Sequence, residues 1–335
     1  SIVFESLLTI EGAFFAGPPT TIARDPAGGF YLRDADGMLQ AYGSDGRFVR
    51  QIGQRGAGPG EYERVRNVLV SRDGSIHVLD AALGRHSKFS RDGEFLGSTS
   101  APVVLSGVGM DAVFLPDDRI ALNALGLNDP LASGHALQVI DQGGNTTPFG
   151  EASPSDLRRP WRQQRLLWAR PNGELLVARP YAFTIDVYAS DLTKRMSIRR
   201  VADWIPSQDQ DLEEQPSDGV FDKPPTPMLQ LIWEDEQGLL WLGMLEPSGS
   251  WRPGPPVEQM RKDQGLNQDT VRTLADRPRF ETILEVVDLE RQRVLARYST
   301  GDPIGTHFGG GYFALRAEDS VGEPIIRISR VRLRQ

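Results

Sequence analysis

Short apolar segments recur along the chain, and each follows a turn built from Gly, Asp or Asn. Turns of the Asp-Gly or Asn-Gly type adopt positive φ and join antiparallel strands as hairpins. The apolar segments that follow such turns are 30–33, 76–79, 120–122, 175–178, 239–242 and 312–315. The pattern therefore predicts a repeated antiparallel unit and an all-β chain.

The spacing of these units indicates the architecture. Successive turns lie 45, 44, 55, 65 and 72 residues apart, counted between Gly29, Gly74, Asp118, Gly173, Gly238 and Gly310. A period of this length, extended in places by insertions, is typical of one four-stranded propeller blade. We predict a six-bladed β-propeller of four-stranded antiparallel blades, with one domain over residues 1–335 and insertions at 202–227 and 246–278.

The last unit supplies only three strands, around 306–308, 312–316 and 325–330. The N-terminal strand Ile2–Ile10 is otherwise unused, so we expect it to complete the last blade and close the ring. Closure removes two unpaired sheet edges, which would otherwise invite aggregation. A β-sandwich with a second small domain is the competing arrangement, but it lacks an obvious linker and leaves the repeat unexplained.

One stretch resembles a known family. Residues 53–62 read Gly-Gln-Arg-Gly-Ala-Gly-Pro-Gly-Glu-Tyr, and residues 73–80 read Asp-Gly-Ser-Ile-His-Val-Leu-Asp. Both are similar to the repeat signature of NHL-type six-bladed propellers, over about residues 53–97, whereas only the hairpin rhythm persists elsewhere. The resemblance implies the fold and a binding role, and it names no ligand.

The connections between strands differ in length according to their position in the blade. The first and third turns of each blade, which share one face of a propeller, are short throughout. The long connections all belong to the opposite face, and they are 53–66, 125–134, 144–161, 202–227 and 246–278. Long loops on a rigid scaffold commonly carry recognition, so we expect a protein partner on that face.

Four residues in these connections are the predicted partner contacts: Tyr62, Trp204, Trp251 and Arg252. Trp and Arg dominate interaction hot spots, and the prolines that follow Arg252 favour a preorganised loop. A second interpretation stays open for Trp204 and Trp251, in which each ring packs on the propeller and anchors its own loop.

Composition excludes several classes of function. The net charge of −8 and the sequence pI near 5.2 argue against a nucleic-acid partner. The chain has no cysteine, which rules out disulfides and thiolate chemistry, and no apolar run long enough to cross a bilayer. Since it begins at Ser1 without a signal-peptide pattern, we expect a mature exported protein, located in the periplasm.

Catalytic motifs are lacking. The histidines, His77, His86, His135 and His307, are expected on different blades without metal-ligand spacing, and no nucleophile elbow or phosphate loop occurs. We therefore expect no catalytic residue, no metal and no cofactor. The sequence favours a non-catalytic protein-interaction propeller, an extracytoplasmic accessory or scaffold subunit docked on a larger envelope or membrane complex.

The enzymatic alternative is a calcium-dependent lactonase or esterase of the six-bladed class. In such a propeller, oxygen ligands from several blades converge on one Ca²⁺ in the central channel. The residues that could supply them here are Asn67, Asp111, Asn123 and Glu234.

Overall fold

A computed structural model of the protein describes residues 1–10, 21–101, 103–104, 111–126, 134–153, 160–203, 205, 217, 222–254, 279–301 and 304–334. In these residues the dominant element is the short antiparallel strand, and six four-stranded sheets form. The predicted six-bladed propeller is confirmed.

Blades 1 to 3 follow the order of the chain. After β1 (Ile2–Ile10), blade 1 consists of β2 (Ile22–Arg24), β3 (Phe30–Arg33), β4 (Leu39–Tyr42) and β5 (Phe48–Ile52). The two-residue strands β6 (Gln54–Arg55) and β7 (Glu61–Tyr62) precede blade 2, which consists of β8 (Val65–Val70), β9 (Ile76–Asp80), β10 (Arg85–Phe89) and β11 (Phe95–Ser100). The two-residue strands β12 (Val103–Val104) and β15 (Leu125–Gly126) pair with each other. Blade 3 consists of β13 (Ala112–Phe114), β14 (Ile120–Asn123), β16 (Leu137–Ile140) and β17 (Thr146–Phe149).

Blades 4 to 6 repeat the arrangement, and the longest strands of the propeller lie in blades 5 and 6. A single helical turn, α1 (Pro160–Gln163), precedes blade 4, which consists of β18 (Leu166–Ala169), β19 (Leu175–Arg179), β20 (Thr184–Tyr188) and β21 (Lys194–Arg199). Blade 5 consists of β22 (Met228–Glu234), β23 (Leu240–Pro247), β24 (Phe280–Asp288) and β25 (Arg293–Thr300). Blade 6 contains β26 (Thr306–His307), β27 (Tyr312–Glu318) and β28 (Pro324–Leu333).

The N-terminal strand closes the ring as predicted. β1 pairs antiparallel with β28, from Ile2 opposite Leu333 to Ile10 opposite Ile326. It thereby becomes the outer strand of blade 6, in the sheet order β1-β28-β27-β26. Ile10 is fully buried, so the end of the strand contributes to the core as well as to the sheet.

The two short turns of each blade lie side by side. Gly28, in the first turn of blade 1, has a φ of 100°, and a Cβ there would lie 3.3 Å from the Cβ of Ser44 in the third turn. The two turns of neighbouring blades also meet, because Arg91 forms an ion pair with Asp25 at 3.2 Å. We call this side of the propeller the turn face. The opposite side, which carries the crossover 53–64 and the segment 248–254, is called the loop face.

The hydrophobic core lies between adjacent sheets. Leu32 and Tyr42 of blade 1 pack with Ile326 and Ile328 of blade 6. Between blades 5 and 6, the rings of Trp233 and Trp241 stack with centroids 4.9 Å apart. Each fully buried side chain of this size stabilises the fold by about 1.5–3 kcal/mol, so the contacts between blades hold the disc together.

Candidate functional site

Tyr62 lies in the core and not on a partner-facing surface. Its side chain is fully buried against blades 1 and 2. The hydroxyl donates to the carbonyl of Ile52 at 2.6 Å and accepts from the backbone N–H of Leu39 at 2.9 Å. Because both hydrogen-bonding roles are used inside the protein, the prediction that Tyr62 contacts a partner does not agree with its position.

The crossover that contains Tyr62 is held by its own side chains. The Glu61 carboxylate accepts from the Gly58 N–H at 2.7 Å and from the Gln54 amide at 2.8 Å. From blade 2, the Arg85 guanidinium donates to the carbonyls of Ala57, Gly58 and Glu61. The Gly-Pro-Gly-Glu-Tyr signature therefore links blades 1 and 2, which explains its composition without a ligand.

Trp251 and Arg252 occupy a defined turn on the loop face, immediately after β23. The Trp251 N–H donates to the carbonyl of Ser248 at 2.9 Å, and the Ser248 N–H donates to the carbonyl of Arg279 at 3.0 Å. The Gly249 N–H donates to the Glu281 carboxylate at 3.2 Å. This anchored turn leaves Trp251 half-buried and Arg252 exposed.

The fourth predicted contact, Trp204, lies outside the described residues, as does most of the insertion 202–227. The same is true of residues 255–278 in the insertion 246–278. Of the predicted set, the structure therefore presents Trp251 and Arg252 at the surface.

A central channel runs along the innermost strands of all six blades. It encloses a cavity of about 600 Å³, a volume within the range of sites for small organic molecules. Its lining includes Arg24, Arg66, Asp111, Trp168 and His307 among aliphatic side chains.

Among the described residues that line the channel, Asp111 is the only one with a carboxyl side chain. One of its oxygens accepts from the N–H of Leu167 in blade 4 at 2.8 Å, and the other from the N–H of Ala112 at 3.0 Å. Burial raises the pKa of Asp111 to about 6, although these two hydrogen bonds act in the opposite direction. The carboxyl group joins blades 3 and 4 and carries a proton in mildly acidic solution.

The proposed calcium ligands do not converge. Asn67 and Asp111 line the channel, but Asn123 uses its amide to bond the carbonyls of Ala136 and Gln163 and the N–H of Arg165. Glu234 is paired with the Arg170 guanidinium at 2.5 Å. Within the described ranges, no group of three or more His, Asp or Glu side chains is placed to hold a metal ion.

Two histidines form a pair that the sequence did not reveal. His77 and His86 lie on adjacent strands of blade 2, and the His77 Nδ1 is 2.8 Å from the His86 Nε2. Burial lowers the pKa of His77 to about 3 and that of His86 to about 4, so both rings are neutral at physiological pH. The expectation that the histidines lie on different blades is wrong for this pair.

This pair borders a second cavity, of about 620 Å³, between blades 2 and 3. The Phe114 ring of blade 3 packs edge-on against His77, with centroids 4.8 Å apart. His77 and His86 are diagonal neighbours on one side of the hairpin, and this spacing could have predicted their contact. The prediction requires the register between the two strands, which the sequence alone does not give.

Comparison with known proteins supports the architecture. A family model described as a 6-bladed beta-propeller matches residues 35–151. That description does not name the NHL type, so the resemblance at 53–97 stays a prediction. No curated protein matches the sequence.

In the part of the chain that the structure describes, no helix has the length and apolar character to cross a membrane.

Several solved structures share the fold. A protein of Bacteroides fragilis inferred to be exported is 16% identical, with a TM-score of 0.59 over 100% of this chain and 95% of that one. A member of the DUF4221 family from Bacteroides vulgatus is 10% identical, with a TM-score of 0.62 over 100% and 97%. Virginiamycin B lyase from Staphylococcus aureus is 11% identical, with a TM-score of 0.50 over 100% of both chains. At these identities the likeness shows the fold alone.

Proposed function

We propose that this protein is a non-catalytic binding propeller outside the cytoplasm, which recognises a protein partner through the loop face. In this role it serves as an accessory or scaffold subunit of a larger envelope or membrane complex. The anchored turn that presents Trp251 and Arg252 is the observation that carries the proposal. A half-buried Trp beside an exposed Arg on an anchored turn is a good hot spot, because these two residue types are enriched in hot spots and the backbone of the turn is already held in place.

The turn face offers a partner much less. Its polar side chains are engaged in their own turns, as when Asp235 accepts from the N–H groups of Gln237 and Leu239. Others join neighbouring blades, as when Arg119 donates to the carbonyl of Ser190 at 3.3 Å. Groups that already hold the disc together would have to be released before they could bind a partner.

The calcium-dependent hydrolase is less well supported. Two of its four proposed ligands, Asn123 and Glu234, hold other parts of the propeller, and Ca²⁺ takes six to eight oxygen ligands. The solved relatives of this fold include an enzyme, the lyase of Staphylococcus aureus, so the fold itself does not decide between binding and catalysis. An extracytoplasmic location agrees with the export inferred for the Bacteroides fragilis protein.

Photo-cross-linking in the native cell tests the docking face. A photoreactive amino acid is placed at Arg252 on the loop face, at Arg47 on the turn face and at Val49 on an outer strand. The side chain of Arg47 is 89% exposed and Val49 is 50% exposed, so both are accessible controls. We expect a discrete adduct from position 252; an adduct from position 47 or 49 in its place would contradict the assignment of the face.

Affinity for the cross-linked partner then tests the two side chains. Replacing Trp251 and Arg252 together by Ala should weaken binding by about 2 kcal/mol or more, because truncated hot spots lose that much. Arg47→Ala is the matched control and should bind at full strength. Undiminished binding by the double variant would assign Trp251 to the anchoring of its own loop.

A further inference from the structure

Three positions of blade 2 break a pattern that the other five blades share. The first position lies two residues after the carbonyl that closes the first turn, the second lies opposite it on the third strand, and the third lies two residues earlier on that strand. In blade 2 these positions are His77, Lys88 and His86. In the other blades they are buried core residues: Tyr31, Ala41 and Leu39; Ala121, Val139 and Leu137; Leu176, Val187 and Ile185; Trp241, Val286 and Leu284; Ala314, Ile328 and Ile326. Ionisable side chains at positions that otherwise pack the blades together indicate a functional site.

The interface between blades 1 and 2 shows how this place is closed elsewhere. There the Tyr31 hydroxyl donates to Asp25 at 3.1 Å, and Asp25 forms its ion pair with Arg91 at 3.2 Å. The corresponding turn residues between blades 2 and 3 are Ser71 and Gln142, and no hydrogen bond joins these two described residues. Both line the second cavity, of about 620 Å³, which is large enough for a small organic molecule. The cavity therefore lies where the ion pair is missing.

Lys88 is the half-buried cation of this cavity. Among the described residues, its ammonium group has neither a hydrogen-bond partner nor an ion-pair partner. Burial first, and the charge of Lys88 second, lower the pKa of His86, so the ammonium lies close to that ring. A cation that is partly removed from water is stabilised when an anion binds beside it.

The His86 ring adds a second polar group beside Lys88. Its Nε2 lies 2.8 Å from the Nδ1 of His77, and this contact leaves the Nδ1 of His86 for a ligand. When the His77 Nδ1–H donates to His86, the remaining proton of the His86 ring is on Nδ1. In that tautomer His86 can donate a hydrogen bond to the same anion as Lys88.

The carboxylates of the cavity lie in the turns at its mouth. Hydrogen bonds within their own turns lower the pKa of Asp73 and of Asp141, so both stay ionised. Their oxygens accept from backbone N–H groups of those turns. Asp73, Asp118 and the cation Arg72 are exposed, and charges in water are screened. The interior charge is therefore that of Lys88.

We propose that the cavity between blades 2 and 3 binds a small organic carboxylate, with its acidic group at Lys88 and His86. The apolar body of the ligand lies against Phe114, Ile120 and Ile140, which form the facing wall of blade 3. One ammonium and one imidazole suit a single carboxylate, whereas phosphate sites commonly use Arg clusters or helix N-termini. This activity goes beyond the docking of a protein partner, because the cavity opens between turns of the turn face and uses different residues.

Two probes with the same aromatic body provide the test. 2-Naphthoate carries the carboxylate, and 2-naphthamide replaces it by a neutral amide. By calorimetry on the full chain, we expect naphthoate to bind at one site and naphthamide to bind more weakly. Lys88→Gln should weaken naphthoate about tenfold or more, which corresponds to the loss of one charged hydrogen bond, and should leave naphthamide unaffected. Arg72→Gln is the matched control at the exposed mouth and should weaken naphthoate less than about fivefold.

The pH dependence of binding tests the role of His86. An anion at Lys88 offsets the charge that disfavours protonation of the ring, so binding should be coupled to proton uptake. The affinity for naphthoate should therefore rise as the pH is lowered from 7 to 5, by at most about tenfold per pH unit. His86→Gln should remove this rise. A rise that persists in His86→Gln would contradict the contact between the ligand and His86.

A variant that closes the cavity identifies the outcomes that overturn the proposal. Ser71→Asp combined with Gln142→Arg reproduces the ion pair found between blades 1 and 2, and it should abolish the binding of both probes. Undiminished naphthoate binding by this variant or by Lys88→Gln would place the probe elsewhere on the protein, and the proposal would be wrong. It would also be wrong if naphthoate showed no saturable binding to the wild type. The cross-linking at Arg252 is unaffected by these results, so the two proposals fail separately.

Discussion

Tyr62 and His307 both place a polar aromatic group inside the propeller, with different consequences. Burial raises the pKa of Tyr62 to about 12, and its hydroxyl has two hydrogen-bond partners. The His307 ring lies between aromatic rings, with centroids 4.8 Å from Trp233 and 5.2 Å from Phe313. Tyr62 is therefore insensitive to pH over the ordinary range, whereas His307 must stay neutral in the folded state.

His307 should make the fold sensitive to acid. Burial lowers its pKa to about 3, below the value of about 6.5 expected in the unfolded chain. With the ring neutral, the free energy of unfolding has its full value above about pH 6.5. It falls as the pH drops toward 3, because the His307 ring takes up a proton more readily in the unfolded state than in the folded state. In His307→Phe, the free energy of unfolding should fall less steeply between pH 6.5 and 4, by up to about 1.4 kcal/mol per pH unit.

Denaturant unfolding at a series of pH values measures this slope. His135→Phe is the control, because that ring is partly exposed and its Nδ1 lies 3.2 Å from the carbonyl of Phe149. His77 and His86 also carry lowered pKa values, so the His307 variant should retain part of the slope. Parallel curves for the wild type and His307→Phe would contradict the expected role of burial.

At the scale of the element, the crossover 53–62 shows how a loop can serve as a structural connection. Its strands β6 and β7 pair in parallel, with Gln54 opposite Glu61 and Arg55 opposite Tyr62. Gly56 lies between them with a φ of 146°, and a Cβ there would fall 2.1 Å from a Glu61 carboxylate oxygen. The glycine is needed both for the backbone conformation and for the close approach of Glu61.

Two glycine substitutions separate these requirements. Gly97 on β11 has a similar φ, 153°, but a Cβ there would meet nothing within 4 Å. Gly97→Ala should therefore cost only the backbone strain, on the order of 1–3 kcal/mol. Gly56→Ala should cost more, because it also displaces Glu61 from Gly58 and Gln54. Equal losses of unfolding free energy in the two variants would show that the Glu61 contacts contribute little.

At the scale of the whole molecule, stability depends on the closure of the ring by β1. Within this strand Ile10 is fully buried, whereas Leu7 is 42% exposed. We expect Ile10→Ala to cost about 2–5 kcal/mol, the usual loss for a large core side chain, and Leu7→Ala to cost less than about 1 kcal/mol. Removal of residues 1–10 should lower the melting temperature far more, since it uncovers the paired edge of β28 and also removes Ile10 from the core. A melting temperature unchanged by that deletion would contradict closure.

The sequence predicted those features that depend on local chemistry. The hairpin turns were found because Asp-Gly and Asn-Gly pairs select their own backbone conformation, and the role of Ile2–Ile10 followed from the missing strand of the last blade. The burial of Tyr62 was not predictable, because it depends on how Leu39 and Ile52 of blade 1 meet Phe89 of blade 2. The His77–His86 contact likewise depends on a register between strands.

The pairing of β1 with β28 also delays the completion of the last blade until the end of the chain is available. Ser1 and Arg334 are joined by backbone hydrogen bonds across a sequence separation of 333 residues. Of the strands of the propeller, β1 is therefore synthesised first and its partner β28 last. Contacts between such distant residues slow folding. Until β28 is available, β1 stays an unpaired apolar strand, and exposed segments of this kind are prone to aggregation.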